Sequence, residues 1–158
     1  MRTKLFISAL ILLFGFINTS NGQMLYSIQN PVIENQIDSI FTEMLTLAER
    51  LDYDGLGKGV DDSYKAGFIS NGKYYSDYAS LIDFIKSRVQ GVSEQKLEIS
   101  QKKITILSDN IVLLTASGIV HIKLDKGSEI NTDFYWSFVF EKIKNNWKVI
   151  HSHQSLGN

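Results

Sequence analysis

Apolar residues recur at helical spacing in two stretches of the chain. Asn30 is a good N-cap and proline suits the first helical position, so a helix is predicted from Pro31 to Leu51. A second helix is predicted from Asp77 to about Gln90, capped by Ser76 and ended by Gly91. Each helix has an apolar stripe that another layer must cover. The stripe of the first consists of Ile33, Ile37, Ile40, Phe41, Met44, Ala48 and Leu51.

The segments outside the two predicted helices are rich in β-branched and aromatic residues, which is typical of strands. Asn71-Gly72 predicts a hairpin turn between strands at Tyr64–Ile69 and Lys73–Tyr75. Short turns make successive strands antiparallel, so the C-terminal half is predicted to be a curled meander. Helices first and sheet last is an α+β arrangement, a cone wrapped around the long helix. The four long strands are predicted at Leu97–Leu107, Ile111–Leu124, Ile130–Ile143 and Trp147–Ser155.

The positions of the turns predict which side chains face the helix. We assume a two-residue turn at Asn145-Asn146 and a three-residue loop at Lys126–Ser128. A slip of one residue at either turn would exchange the faces. The predicted inner face consists of Leu114, Ala116, Gly118, Val120, Phe134, Trp136, Phe138, Phe140, Val149, His151 and His153.

The opposite face mixes apolar and polar side chains. A monomer rarely exposes so much apolar surface in one patch, so we predict a homodimer through this outer sheet face. The predicted outer face consists of Leu113, Thr115, Ser117, Ile119, His121, Tyr135, Ser137, Val139, Glu141, Lys148, Ile150, Ser152 and Gln154.

The N-terminal residues indicate where in or outside the cell the protein is located. Two cations, an apolar stretch from Leu5 to Ile17 and a small polar segment are typical of a secretory signal peptide. Cleavage is predicted after Gly22, which leaves one domain over residues 23–158, secreted or periplasmic and free of the membrane. Loss of Arg2 and Lys4 changes the net charge from −1 to −3, without a basic patch for nucleic acid.

Candidate chemistry is confined to a few side chains. Because they are two apart on a strand, His151 and His153 share a face, as acid–base groups, ligand contacts or packed histidines. His121 is the only other histidine and the chain has no cysteine, so we predict neither metal nor cofactor. Asp54 is a further catalytic candidate. The predicted contacts for a small apolar or aromatic ligand are Tyr53, Tyr64, Trp136, Phe138, His151 and His153. The glycine-rich segment from Asp52 to Asp62 is predicted to be a flexible rim loop.

The last strand carries a resemblance. Its sequence Trp147-Lys148-Val149-Ile150-His151-Ser152-His153-Gln154-Ser155 resembles the ending of nuclear transport factor 2-like proteins, especially SnoaL-like domains and the association domain of calcium/calmodulin-dependent kinase II. Residues 134–142 are similar to their penultimate strand, and the order of elements matches over the whole mature chain. The resemblance implies a cone with an interior pocket and a homodimer through the outer sheet face. Phe138 stands where the kinase domain has an arginine directed into its pocket.

Three functions remain open at this point, because fold does not fix function. The first is an exported protein that binds a small, largely apolar molecule in the cone. The second is an isomerase, cyclase or dehydratase in which His151 or His153 moves a proton, assisted by Tyr53 or Asp54. The third is a structural dimerisation module. An open cavity with a polar pair favours the first, whereas a carboxylate beside a histidine in that cavity favours the second.

Overall fold

The computed structural model describes residues 29–157. The predicted signal peptide and its cleavage point lie outside these residues. The described part is α+β, with two helices before a curled sheet that does not close on itself and a third helix between the second and third strands of that sheet. No helix within it is long and apolar enough to cross a membrane. Its elements in chain order are α1 (Pro31–Glu49), α2 (Tyr53–Gly57), β1 (Phe68–Ser70), β2 (Lys73–Tyr75), α3 (Tyr78–Arg88), β3 (Val92–Ser108), β4 (Ile111–Leu124), β5 (Glu129–Ile143) and β6 (Asn146–Leu156).

Helix α1 begins where the sequence predicts. Asn30 Oδ1 accepts hydrogen bonds from the backbone N–H groups of Val32 (3.1 Å) and Ile33 (3.3 Å), which satisfies two of the helix's unpaired donors. Ile33, Ile37 and Phe41 are buried and belong to the main hydrophobic core with the inner face of the sheet. The predicted apolar stripe is therefore the face that α1 buries.

The six strands form one sheet in the order β2-β1-β6-β5-β4-β3. Neighbours are antiparallel, except that β1 runs parallel to β6 and pairs Ile69 with His153. At one end of the sheet lies β3, which has register shifts at three places along its pairing with β4. The predicted inner face is confirmed in β4 and β5, where Leu114, Phe134 and Phe140 are completely buried.

Two of three local predictions needed correction. Strand β1 begins at Phe68 rather than Tyr64, because Lys65 (φ 52°) and Gly67 (φ 75°) leave the extended conformation. Helix α3 is capped by Asp77 rather than Ser76, since Asp77 Oδ1 accepts from the N–H of Ser80 at 2.8 Å. The predicted turn at Asn71-Gly72 is confirmed, with positive φ at both residues.

The predicted rim loop contains a helix. Helix α2 begins at Tyr53, and Asp52 Oδ1 accepts from the N–H of Gly55 at 2.8 Å. Two glycines in five residues disfavour a helix. Burial of Tyr53, which is only 7% exposed, and the Asp52 cap offset that cost. The prediction of a flexible loop was wrong for these residues, and α2 places Tyr53 on the core side of the chain.

Candidate functional site

An interior cavity lies between the three helices and the inner face of the sheet. Its volume is about 250 Å³. Most of its lining is aliphatic or aromatic and comes from every layer of the fold: Phe41, Met44, Leu45 and Ala48 of α1, Tyr53 and Leu56 of α2, Leu81, Ile82, Phe84 and Ile85 of α3, and Leu97, Val120, Ile122, Trp136, Phe138 and Val149 of the sheet. The side chains of residues 29–157 therefore leave a cavity between the helices and the sheet.

Three aromatic residues predicted as ligand contacts lie on this cavity. Trp136 stacks on Phe134 with ring centroids 4.1 Å apart and meets Phe138 edge to face at 6.1 Å. Phe138 also contacts Phe41 of α1, with centroids 6.1 Å apart. Burial raises the pKa of Tyr53 by more than the neighbouring Gln95 side chain lowers it, so the phenol keeps its proton. Together Tyr53, Trp136 and Phe138 form a rigid, largely apolar surface with one hydroxyl donor, which we call the aromatic wall.

Several neutral polar residues also line the cavity, among them Asn71, Gln95 and Ser155. We call three others, which lie on the neighbouring strands β1 and β6, the polar corner: Ser70, Ser152 and Gln154. Ser152 is 2% exposed and Ser70 is 4% exposed. Gln154 Nε2 donates to Ser152 Oγ at 3.1 Å. Gln154 pairs with Ser70 across the β1–β6 boundary and with Trp136 across the β5–β6 boundary. The polar corner therefore lies directly beside the aromatic wall.

The two histidines do not face the cavity, so the predicted faces of β6 were wrong beyond Val149. A bulge inserts Ile150 between two paired positions: Phe140 pairs with Val149, but Val139 pairs with His151. The extra residue exchanges the faces of every later position. It turns His151 and His153 to the outer face and brings Ser152 and Gln154, which were predicted outside, into the cavity.

His151 has a structural environment on that outer side. Its Nδ1 lies 2.7 Å from the carbonyl oxygen of Gly67, which can only accept, so Nδ1 carries the proton. The imidazole also lies nearly parallel to the Phe68 ring, at 6.5 Å between centroids. His153 is exposed and pairs with Ser137. Neither ring can exchange a proton with a molecule in the cavity.

Tyr64 and Asp54 also lie away from the cavity lining. Tyr64 is 58% exposed because the chain is not extended before Phe68, and its hydroxyl donates to Glu141 Oε1 at 2.9 Å. That carboxylate raises the pKa of the Tyr64 hydroxyl. Asp54 projects from the solvent side of α2 and accepts from Lys86 Nζ of α3 at 2.6 Å. The predicted ligand contact at Tyr64 and the predicted catalytic role of Asp54 therefore lack the required position.

The ionisable residues that line the cavity are few. In the described part they are Tyr53, Tyr78 and Arg88. Burial raises the pKa of Tyr78, which keeps its hydroxyl neutral. Arg88, in the last turn of α3, is exposed and makes no ion pair with any residue in 29–157. Over the same range, no three His, Asp or Glu side chains come together as a metal site would require. The arrangement can enclose and orient a molecule, but it offers no acid–base pair.

Sequence reasoning missed the polar corner and the contribution of α3. Serine and glutamine on a strand are usually solvent-facing, so nothing in the residue types marks Ser152 or Gln154 as interior. The parallel pairing that places Ser70 beside Gln154 joins residues far apart in the chain. The apolar stripe of α3 was visible in the sequence, and its lining role could have been inferred had the helix been placed over the cone.

The comparisons with known proteins agree with this architecture. Residues 37–158 match the family profile described as a SnoaL-like domain. No curated protein matches the sequence significantly.

Solved structures of low sequence identity share the fold. A nuclear transport factor 2-like superfamily protein from Salmonella enterica is 19% identical with a TM-score of 0.69, over 81% of this chain and 93% of its own. A nuclear transport factor 2-like protein of unknown function from Shewanella oneidensis is 21% identical with a TM-score of 0.58, over 78% and 98%. A Caulobacter vibrioides protein with a cystatin-like fold is 10% identical with a TM-score of 0.65, over 79% and 89%.

Proposed function

Because the chain belongs to the family of SnoaL-like domains, whose fold serves both binding and catalysis, we propose that it is an exported protein that binds a small, largely apolar molecule in its interior cavity. The cavity is the observation that carries this proposal. Interiors are normally packed with few voids larger than a water molecule, and an unfilled apolar cavity lowers stability. A volume of about 250 Å³ exceeds the roughly 150 Å³ that accommodates benzene in an engineered cavity. A ligand larger than one aromatic ring therefore fits.

Binding is favoured over the two alternatives by particular residues. A purely structural module gains nothing from a wall of Tyr53, Trp136 and Phe138 around empty space. An acid–base enzyme needs a group of suitable pKa within reach of its substrate. His151, His153 and Asp54 lie away from the cavity, and no other histidine or carboxylate in residues 29–157 lines it.

A thermal-shift screen of small apolar and aromatic compounds tests the proposal. A ligand at about 100 times its Kd stabilises the folded state by about 2.7 kcal/mol, which raises Tm by several degrees in a domain of this size. We expect hits on the wild type that bind Ala48→Phe at least ~10-fold more weakly, because Ala48 lines the cavity and the new ring fills it.

Ala79→Phe on the exposed side of α3 is the matched control and retains the hits. Equal binding to both variants would place the ligand elsewhere, and a screen without hits would contradict the proposed function.

A homodimer through the outer sheet face is the second part of the proposal. On this face Ile119 is 36% exposed and Tyr135 is 55% exposed, and Leu113 and Val139 on the same face are half-buried. Face-to-face contact between two copies would cover this patch. Light scattering is expected to give twice the mass of the mature chain, and Tyr135→Lys to give a monomer. Val32→Lys, at a 66% exposed position on α1, is expected to remain dimeric. A monomeric wild type would contradict this part.

Export is the third part, supported by the cationic start and the apolar stretch from Leu5 to Ile17. When the full chain is expressed in a bacterial host, the secreted or periplasmic form is expected to begin at Gln23. An intact N-terminus in the cytoplasmic fraction would contradict this prediction.

A further inference from the structure

The polar corner has hydrogen-bonding capacity that the described residues do not use. Ser152 Oγ accepts from Gln154, but its own hydroxyl proton meets no acceptor in residues 29–157. In the same range, no donor reaches Gln154 Oε1, and Ser70 Oγ makes no side-chain hydrogen bond. Ser70 and Ser152 are buried, whereas Gln154 is half-buried. Polar groups in such positions usually have hydrogen-bond partners in native proteins. Alanine or valine would have served a purely structural interior better.

The groups of the polar corner that lack a hydrogen-bond partner in residues 29–157 face the interior of the cavity. Ser70 and Ser152 are 96% and 98% buried, and both line the cavity, so the little surface they retain faces its interior. They supply one or two hydroxyl donors, and Gln154 supplies an acceptor. Trp136 and Phe138 lie on the adjacent strand, paired with Gln154 and Ser152 respectively. A molecule that hydrogen-bonds to the polar corner would therefore place its body along the aromatic wall.

Charge restricts the ligand further. The polar corner contains no ionisable side chain, and the buried phenols Tyr53 and Tyr78 stay neutral. The only charged lining residue in the described part is Arg88, which is exposed on α3 and remote in sequence from the polar corner. Moving an ion from water into such a site costs far more than moving a neutral hydrogen-bonding group.

From these three observations we infer that the ligand is an uncharged, ring-containing molecule with one hydroxyl or carbonyl group, which binds at the polar corner while the rings lie against Trp136 and Phe138. This inference rests on the proposed function and adds the chemical class of the ligand. A hydroxyl donates to Gln154 Oε1, and a carbonyl accepts from Ser152 or Ser70. One neutral hydrogen bond contributes about 1 kcal/mol, so the polar group is expected to strengthen binding by about 5- to 10-fold.

Three probes with one carbon skeleton test the inference by calorimetric titration of the full chain at pH 7. Naphthalene has no polar group, 2-naphthol has a neutral hydroxyl, and 2-naphthoate has a negative charge. Two fused rings suit a cavity larger than the one that holds benzene. We expect 2-naphthol to bind about 5- to 10-fold more tightly than naphthalene, and 2-naphthoate to bind more weakly than either.

Variants at the polar corner locate the subsite. In Ser152→Ala combined with Gln154→Leu, the preference for 2-naphthol over naphthalene is expected to vanish while naphthalene binds at least as well. Gln154→Leu alone keeps the experiment informative if the double variant does not fold. Ala79→Phe, on the exposed side of α3 and away from the cavity lining, is the control and is expected to leave all three affinities unchanged. Arg88→Gln tests whether the charged lining residue contributes to binding of the anionic probe.

The results separate the inference from the proposed function. Naphthalene binding without a preference for 2-naphthol, or a preference that survives in the variants, would overturn the inference alone. Tightest binding of 2-naphthoate, lost in Arg88→Gln, would also overturn it and assign an anionic ligand to the α3 side. If none of the probes binds, both the inference and the apolar cavity as a binding site are contradicted.

Discussion

The hairpins β4–β5 and β5–β6 share a strand but differ in how far their turns determine the register. In both, the turn lies one residue before the predicted position: Asp125–Gly127 joins the first pair, and Lys144-Asn145 joins the second. Each displacement moves the pairing by two positions and preserves the faces. The β4–β5 ladder continues without a shift, whereas the β5–β6 ladder contains the bulge at Ile150. A turn therefore predicts the faces of a strand only as far as its first bulge.

The bulge lies where β6 changes its neighbour on the other side. Before it, Val149 exchanges backbone hydrogen bonds of 2.9 Å with Gly59 and Asp61. Beyond it, β6 pairs with β1 from His153 onward. Bulges bend a strand and increase its twist, which suits a strand that passes from one partner to another. Between these two partners, the side chain of His151 connects β6 to the preceding segment through its hydrogen bond with the Gly67 carbonyl.

The largest expected effect concerns the regular hairpin. A Cβ at Gly118 would overlap the carbonyl oxygen of Glu98 in β3 and lie 2.9 Å from the Phe134 ring. Gly118→Ala is therefore expected to lower the free energy of unfolding by about 3 kcal/mol, since backbone must move. Urea denaturation measures this loss.

Gly127→Ala in the β4–β5 turn is the control for that variant. Its φ of +84° disfavours a side chain, but no atom lies within 4 Å, so the expected loss is only about 1 kcal/mol. A smaller loss at Gly118 than at Gly127 would contradict the close approach of β3 and β4.

A smaller effect is expected in the bulged hairpin. His151→Ala removes the bond to Gly67 and the contact with Phe68, for an expected loss of about 1.5 kcal/mol. His153→Ala, on an exposed neighbouring position, is expected to change stability by less than about 0.5 kcal/mol. Denaturation and ligand titration of both variants give the comparison. Weaker ligand binding by either variant would indicate that the histidine faces the cavity and would contradict the bulge at Ile150.

The smallest effect concerns the turn of the bulged hairpin. Positive φ at Lys144 (49°) and Asn145 (67°) defines a two-residue turn in which glycine suits the second position. Asn145→Gly is expected to stabilise the protein by about 0.5 kcal/mol. Asn146→Gly, within β6, is expected to destabilise it by a similar amount. The opposite ranking in thermal denaturation would favour the turn at Asn145-Asn146 predicted from the sequence.

The parts of the fold that follow from local pattern were predictable from the sequence. The bounds of β4 are those predicted, because a stretch rich in apolar and β-branched residues lies between clear turn residues on both sides. Helix α1 was predicted within two residues of its end, owing to its cap and apolar stripe. Helix α2 was missed because its stability comes from the burial of Tyr53, which a glycine-rich sequence does not reveal.

The candidate site was predicted only in part, for a different physical reason. Trp136 and Phe138 were placed correctly because they lie in the regular hairpin. The polar corner depends on one extra residue in β6 and on parallel pairing with β1, which arises from tertiary packing. The family resemblance gave the cone but not the orientation of its last strand.

The outer strand β3 has a consequence for how the protein behaves at high concentration. A terminal strand of 17 residues would ordinarily be a template for adding strands from other molecules and for growing fibrils. The register shifts near Ser93, Ser100 and Leu107 interrupt that template, and the charged side chains along the strand disfavour its burial against a second copy. Strand-by-strand polymerisation is thereby disfavoured relative to contact between sheet faces. We therefore expect the protein to remain free of fibrils when its solution is concentrated.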